Sequence, residues 1–370
     1  MFETRVFVGI LKRPFTFVAV ALLTLFAIES PIQAQHMQMT PVLNEYFRMV
    51  FAGDLSDAGE LFASEPEDQG SVMLGNKFNR RFNDRSDGLD LSHIDNKKVR
   101  LIAELFQDYW RDALLQVAPL EELEFTLKDE LDTMLTEHGF AGALDDEDAL
   151  LENVVALIRE EGYFALSGRT PPLLELMIWT SNEVDIQSVE LTDGIYEVEI
   201  NHLDDFVSYG WSNFATFGMT STGGWAKKDG LYCLCKKYDL ESERFRLSFL
   251  KHEARHYADF ELYPELQASD LEYRGKLTEL AFSEDGMYGL LTHFFNAANR
   301  VENAPHPLAN WYVIDGLSRH LLGGERPADA SAWEAIPKEQ IRQTAKLLLD
   351  EHDAALDDLG SKLTKGVINL

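Results

Sequence analysis

The feature that most limits the architecture is a change of hydrophobic period at Gly168-Arg169-Thr170-Pro171-Pro172. Before it, LIAELFQDYWRDALLQV (101–117) and ALLENVVALIREEGYFAL (149–166) repeat apolar side chains every three or four residues, as a helix with one buried face does. The glycine and two prolines break that pattern. Behind them, VDIQSVEL (184–191) and IYEVEI (195–200) alternate around Thr192-Asp193-Gly194, and GWAKKDGLYCLCKKYDL repeats the device around Lys228-Asp229-Gly230. Each is a hairpin signal. Helical spacing returns after Leu240. The expectation is therefore an α+β chain: an acidic helical region over 35–168, then a unit over 169–370 holding a small antiparallel sheet (about 184–240) and supporting helices.

A chain of 370 residues can bury a sizeable core without disulfides or metals. Its 33 Lys+Arg against 63 Asp+Glu leave a net charge of −30. That field repels phosphate backbones and anionic headgroups, so nucleic-acid binding and docking on anionic membranes are not expected. The amino terminus reads as a processing signal. A basic segment with Arg5, Lys12 and Arg13 precedes an apolar run from Phe15 to Ile28, and Pro31 and Ala34 follow. The run is shorter than the ~20 residues that span a bilayer, which predicts a signal peptide over 1–34, a periplasmic or secreted product, and no stable membrane insertion after its removal.

Three smaller readings complete the survey. NRRFNDRSDG (79–88) is expected to be a loop, and Asp145 to Asp148 a solvated helix start. Cys233 and Cys235, placed on an extended strand, would share one face. A bridge between them would be strained there, so they read as two small buried apolar residues.

Chemistry concentrates in RFRLSFLKHEARHYADFELYPELQASDLEYRGKLTELAF, where His252-Glu253-Ala254-Arg255-His256 falls inside a helical stretch. Residues four apart share a helix face, so two imidazoles converge on one cation. Imidazole suits Zn2+. The cation would lower the pKa of a neighbouring water towards ~7, and Glu253 is placed to take its proton as general base. An apolar approach (Phe245, Leu247, Phe249, Leu250) leads into the motif.

The segment over about 247–280 resembles the zincin metallopeptidases, whose active-site helix carries HExxH. The metzincin branch is excluded, because Asp259 and Leu262 stand where it has Gly and His. What remains is a gluzincin-like arrangement, in which a Glu on the following helix supplies the third ligand. Tyr263-Pro264 ends the first helix, and a second is expected from about Glu265 to Phe282, with Glu272 as ligand and Glu279 as runner-up. Gly275, one turn along, would let this helix approach its neighbour closely. Two departures from the resemblance stand out. Arg255 occupies a position normally uncharged, and would pair with Asp259 or contact an acidic substrate. Lys276 stands where the thermolysin-like pattern has Asp; Asp259 or Asp270 is then expected to orient a ligand histidine.

The resemblance also implies an edge strand that presents backbone to a peptide, matched here by Thr222-Gly223-Gly224-Trp225-Ala226. His306, opening the helical run after Asn303-Ala304-Pro305, is the candidate for stabilising an oxyanion or binding substrate, with Tyr257 and His293 as weaker alternatives. Together these imply an exported zinc-dependent hydrolase, a metallopeptidase acting on a peptide or protein substrate. The alternative is an exported binding or scaffold protein whose zinc site is structural.

Overall fold

The computed structural model describes residues 40–64, 69–301, 304–359 and 366–368. The expected signal peptide (1–34) lies outside the described residues. Helices α1 (Pro41–Ala52), α2 (Ala58–Ser64), α3 (Gln69–Phe78), α4 (Lys97–Leu114), α5 (Leu120–Glu137) and α6 (Glu147–Glu160) come first. Strands β1 (Phe164–Thr170), β2 (Leu173–Leu191) and β3 (Gly194–Tyr209) follow, then a short α7 (Trp211–Ala215), β4 (Gly224–Lys227) and β5 (Gly230–Cys233). The chain ends in α8 (Glu243–Phe245), α9 (His252–Leu262), α10 (Ala268–Phe282), α11 (Met287–Ala297), α12 (Pro305–Leu321) and α13 (Lys338–Leu359). The α+β expectation therefore holds, with the sheet between two helical blocks.

Several details differ from the sequence reading. Helix α6 stops at Glu160 because Gly162 takes the left-handed conformation, φ +86, so the chain is already extended at Phe164. The prolines lie in the β1–β2 turn rather than between helix and sheet, and the expected boundary at residue 168 falls inside β1. The run LLELMIW (173–179) is buried on both faces; such a strand shows no alternation. NRRFNDRSDG is only partly a loop, since Asn79–Asn83 continues α3 in wider helical turns. Asp146 caps α6 by accepting the Ala149 N–H at 3.1 Å, as the acidic helix start suggested.

The sheet order is β1-β2-β3-β5-β4. Both predicted hairpins form, Leu191 facing Gly194 and Lys227 facing Gly230. The sheet is not wholly antiparallel, however. β5 runs parallel to β3, pairing Ile200 with Leu231 and His202 with Cys233. A hairpin signal fixes how β4 meets β5 but not which of the two joins β3. Here the strand with buried Leu231 and Cys233 is the inner one, leaving β4 at the edge.

Cys233 and Cys235 form a disulfide, contrary to expectation. The strand ends at Cys233, Leu234 leaves the extended region (φ −83, ψ 64), and a tight turn begins at Cys235. The two Cα atoms are thereby brought to 5.0 Å, within bridging distance.

The β2–β3 hairpin is the spine. Leu174, Leu176 and Ile178 near its base join the core of the N-terminal helices, where the Trp110 indole donates to the Leu174 carbonyl at 2.8 Å. Val189, Leu191, Val198 and Ile200 near its tip pack with Ala254 and Ala258 of α9. A third core joins α10, α11, α12 and α13, the last helix contributing Ile341, Ala345, Leu348 and Leu349. No helix among the described residues is long and apolar enough to cross a membrane.

Candidate metal centre

Helix α9 has two working faces. Ala254 and Ala258 lie flat on the sheet, because only small side chains let a helix approach that closely. His252, His256 and Asp259 form the stripe turned towards α10, following the 3.6-residue period. The turns from Arg246 to Lys251 are wider than α-helical, with the His252 N–H reaching back to the Leu247 carbonyl. Such insertions often sit beside functional residues. The predicted apolar approach is buried at Phe245, Leu247 and Phe249.

Helix α10 comes close at Gly275, where an added Cβ would lie 2.6 Å from the His252 ring. That contact lets α10 place Glu272 between the two histidines. Glu272 Oε2 is 3.4 Å from His252 Nε2, and Oε1 is 3.4 Å from His256 Nε2. One ligand atom from each of His252, His256 and Glu272 lies within 4.8 Å of the others. Bonds of ~2.0–2.1 Å at tetrahedral angles separate neighbouring ligand atoms by about 3.4 Å. All three side chains are buried, and both Nε2 atoms and both Glu272 oxygens lack a hydrogen-bond partner. Buried polar atoms are normally satisfied, so this donor set fits a cation.

Glu279, the runner-up, is not part of this group. Its Oε1 accepts from His252 Nδ1 at 2.8 Å and its Oε2 accepts from the Ser248 hydroxyl at 2.5 Å. The first bond fixes the proton on Nδ1 and leaves the Nε2 lone pair for a metal. Orientation of a ligand histidine thus falls to Glu279, not to Asp259 or Asp270. Asp259 binds arginines, and Asp270 faces His352. Nor does Arg255 face a substrate. It is 1% exposed and reaches Asp193 at 2.8 Å and Asp259 at 2.8 Å.

Glu253 is 1% exposed and neither carboxylate oxygen is hydrogen-bonded. Burial pushes its pKa up to about 8, partly opposed by His252 and reinforced by Glu272; the Ala226 N–H of edge strand β4 lies beside it. Burial works against a charge on His252, but Glu272 and Glu279 outweigh it and push that imidazole up to about 10. His256 is lowered, chiefly by burial. Burial would raise Glu272, yet His306, His252 and His256 hold it well below the usual carboxylate range.

His306, on the first turn of α12, does arrive at the site. Its Nδ1 is 2.6 Å from Glu272 Oε2, a close contact not aligned as a hydrogen bond, and its Nε2 is buried without a partner. Lys276 is also buried there, 3.9 Å from Glu272 Oε2. His293 on α11 stands at the margin, where burial and nearby Lys276 push it down to about 4. Tyr257 packs with the sheet-side cluster instead. Tyr238, which the sequence reading does not single out, also lies near the site. Its hydroxyl sits over Gly223, where a Cβ would be 1.9 Å away, and Glu253 is among the charges acting on it. No local pattern marks it, because a loop and not a repeat brings it there.

No protein-family model matches the chain, and neither a curated protein nor a solved structure is similar to it.

Proposed function

We propose that this chain is a metal-dependent hydrolase, with Zn2+ the first choice of ion and a peptide bond the first choice of substrate. The observation that carries the reading is the buried convergence of His252, His256 and Glu272, with their unsatisfied atoms facing one point. Charge supports it. Three buried carboxylates in the cluster (Glu253, Glu272, Glu279) face one buried ammonium, Lys276. A divalent cation bound there would pair with those carboxylates, and buried charge without a partner is costly.

His252, His256 and Glu272 would hold the ion. When bound, Zn2+ would supply Lewis-acid polarisation and water of lowered pKa. Glu253 lies about 100° round the helix from His252, so it stands beside the ligands as the general base and then donates its proton to the leaving amine. Its oxygens, shared with no hydrogen-bond partner, suit both roles. With Nδ1 turned to Glu272, His306 has its buried, unpartnered Nε2 left to stabilise developing negative charge as a hydrogen-bond donor. Edge strand β4, which Gly223 precedes and Gly224 opens, offers backbone to an extended peptide. Export remains part of the proposal on the amino-terminal sequence alone.

Zinc content and turnover of the wild type and of Glu253→Gln, on peptide and ester panels, test the reading. Glu253→Gln is expected to keep its zinc and lose on the order of 10²–10⁴ in rate, whereas His252→Ala or His256→Ala loses the ion. A wild type that takes up no zinc under replete conditions refutes the metal. A wild type that holds zinc firmly and hydrolyses nothing favours an exported scaffold with a structural site.

A further inference from the structure

Helix α10 has an unusual environment. Every residue from Asp270 to Ala281 is buried. A surface helix is oriented about its axis by an apolar stripe facing inwards. Helix α10 has such a stripe, Tyr273, Leu277, Leu280 and Ala281 in the C-terminal core, but its other buried faces carry polar side chains. Directional polar contacts add to the stripe in fixing its rotation. They lie on two sides. Glu272, Gly275 and Glu279 face α9 and the histidines. Asp270 and Arg274, one turn apart and each about 200° from Glu272 round the helix, face away.

The far side is held by consecutive residues of α13. His352 Nε2 donates to Asp270 Oδ1 at 2.8 Å, and Arg274 Nη1 donates to Asp353 Oδ1 at 2.5 Å. The same Asp270 oxygen accepts the backbone N–H groups of Val367 and Ile368 at 2.9 and 3.1 Å. Arg274 also binds across to α9, Nε donating to Asp259 Oδ2 at 2.8 Å. Asp259 in turn faces Arg255, which reaches Asp193 in the β2–β3 turn. A ladder Asp193–Arg255–Asp259–Arg274–Asp353 thus crosses hairpin, metal helix, ligand helix and last helix. Buried ion pairs of this kind add little net stability compared with apolar packing, while fixing one arrangement of their elements.

We infer that Arg274 is a positioning residue for the metal centre: clamped between Asp259 and Asp353, it fixes the rotation of α10 that presents Glu272 to the histidines. The inference rests on the metal reading above. Its consequence is separable from stability, because a rotated α10 can stay buried while Glu272 no longer meets both imidazoles.

The test is Zn2+ affinity of the folded protein, by competition with a chelator, alongside thermal unfolding of the zinc-free form. The variants are Arg274→Gln, Arg274→Lys and Asp353→Asn. Partners behind metal ligands typically contribute 10–100-fold in affinity. A loss of that size is expected for Arg274→Gln, with partial recovery in Arg274→Lys and about tenfold loss in Asp353→Asn. Asp353 is 38% exposed on its side chain, so its loss should not prevent folding if Arg274→Gln does. Arg319→Gln, which breaks an exposed pair with Asp315, should change nothing. Wild-type zinc affinity in both Arg274→Gln and Asp353→Asn, with only a lower melting temperature, assigns the ladder to stability and overturns the inference. If Arg274→Gln does not fold, wild-type affinity in Asp353→Asn overturns it alone. A wild type that binds no zinc instead refutes the metal itself, and the inference with it.

Discussion

Gly275→Ala separates metal binding from folding with a single methyl group. Its Cβ would lie 2.6 Å from Cε1, 2.7 Å from Nε2 and 2.9 Å from Nδ1 of His252. Carbon contacts relax at about 3.5–4.0 Å, so ring and helix must part by roughly 1 Å. The ring cannot simply swing away, because Glu279 on the same helix holds its Nδ1 at 2.8 Å. A displacement of ~1 Å is half the length of a Zn–N bond of ~2.0–2.1 Å, which removes His252 as a ligand. For the fold alone the two effects oppose each other. Alanine is better than glycine in a helix by about 0.8–1.0 kcal/mol, while overpacking costs about 1–3 kcal/mol. The zinc-free variant should therefore lose no more than about 2 kcal/mol in urea unfolding. Zinc affinity should fall by more than the 10–100-fold typical of changes behind the ligands. Gly289→Ala on α11 is the control, since nothing lies within 4 Å of its Cβ; it should keep full affinity and unfold no more easily. A Gly275→Ala protein that binds zinc like the wild type would show that α9 and α10 do not pack as described.

The legible part of the site was the part written in local spacing. His252, Glu253 and His256 needed only one helix, and Glu272 needed only the helix after it. What each neighbouring charge does depends on how α10 is rotated against α9, and that rotation is not local. Glu279 lies on the Glu272 side of the helix, so spacing alone could not distinguish ligand from orienting carboxylate. Arg255 looked available to a substrate because a lone sequence cannot show Asp193, from the hairpin tip, folding back beside it. In the fold, hairpin turns were legible and strand partners were not. Strand β1 and the start of β2 escaped because GYFAL continued a helical-looking apolar run and LLELMIW showed no period to separate strand from buried helix. The parallel β3–β5 pairing and the Cys233–Cys235 bridge both depend on the course of the chain between and beyond the strands, which residue types leave open.

Two further outcomes follow from the geometry. Glu279→Gln should keep the ligands in place but weaken the hold on His252 Nδ1, lowering zinc affinity about 10–100-fold; an unchanged affinity by chelator competition would remove Glu279 from the site. The second outcome concerns Glu175, far from the metal centre in β2. It is 8% exposed, and its Oε1 accepts the Leu176 and Trp211 N–H groups at 3.0 and 2.9 Å. Burial pushes its pKa from 4.5 up to about 7, these hydrogen bonds only partly opposing it. The folded state thus binds this proton more tightly than the unfolded chain does. Its contribution to stability is full below about pH 4.5 and is lost as pH rises through about 7. A displacement of that size is on the order of 3 kcal/mol. Glu175→Gln keeps an acceptor oxygen and carries no charge at any pH, so it should overtake the wild type between about pH 5 and pH 8. Urea unfolding of both proteins across that range, with chelator present, isolates the effect as a difference in which other titrating groups cancel. A difference that stays flat would mean Glu175 is ionised at no cost where it lies, and that water or a rearranged Trp211 turn reaches it.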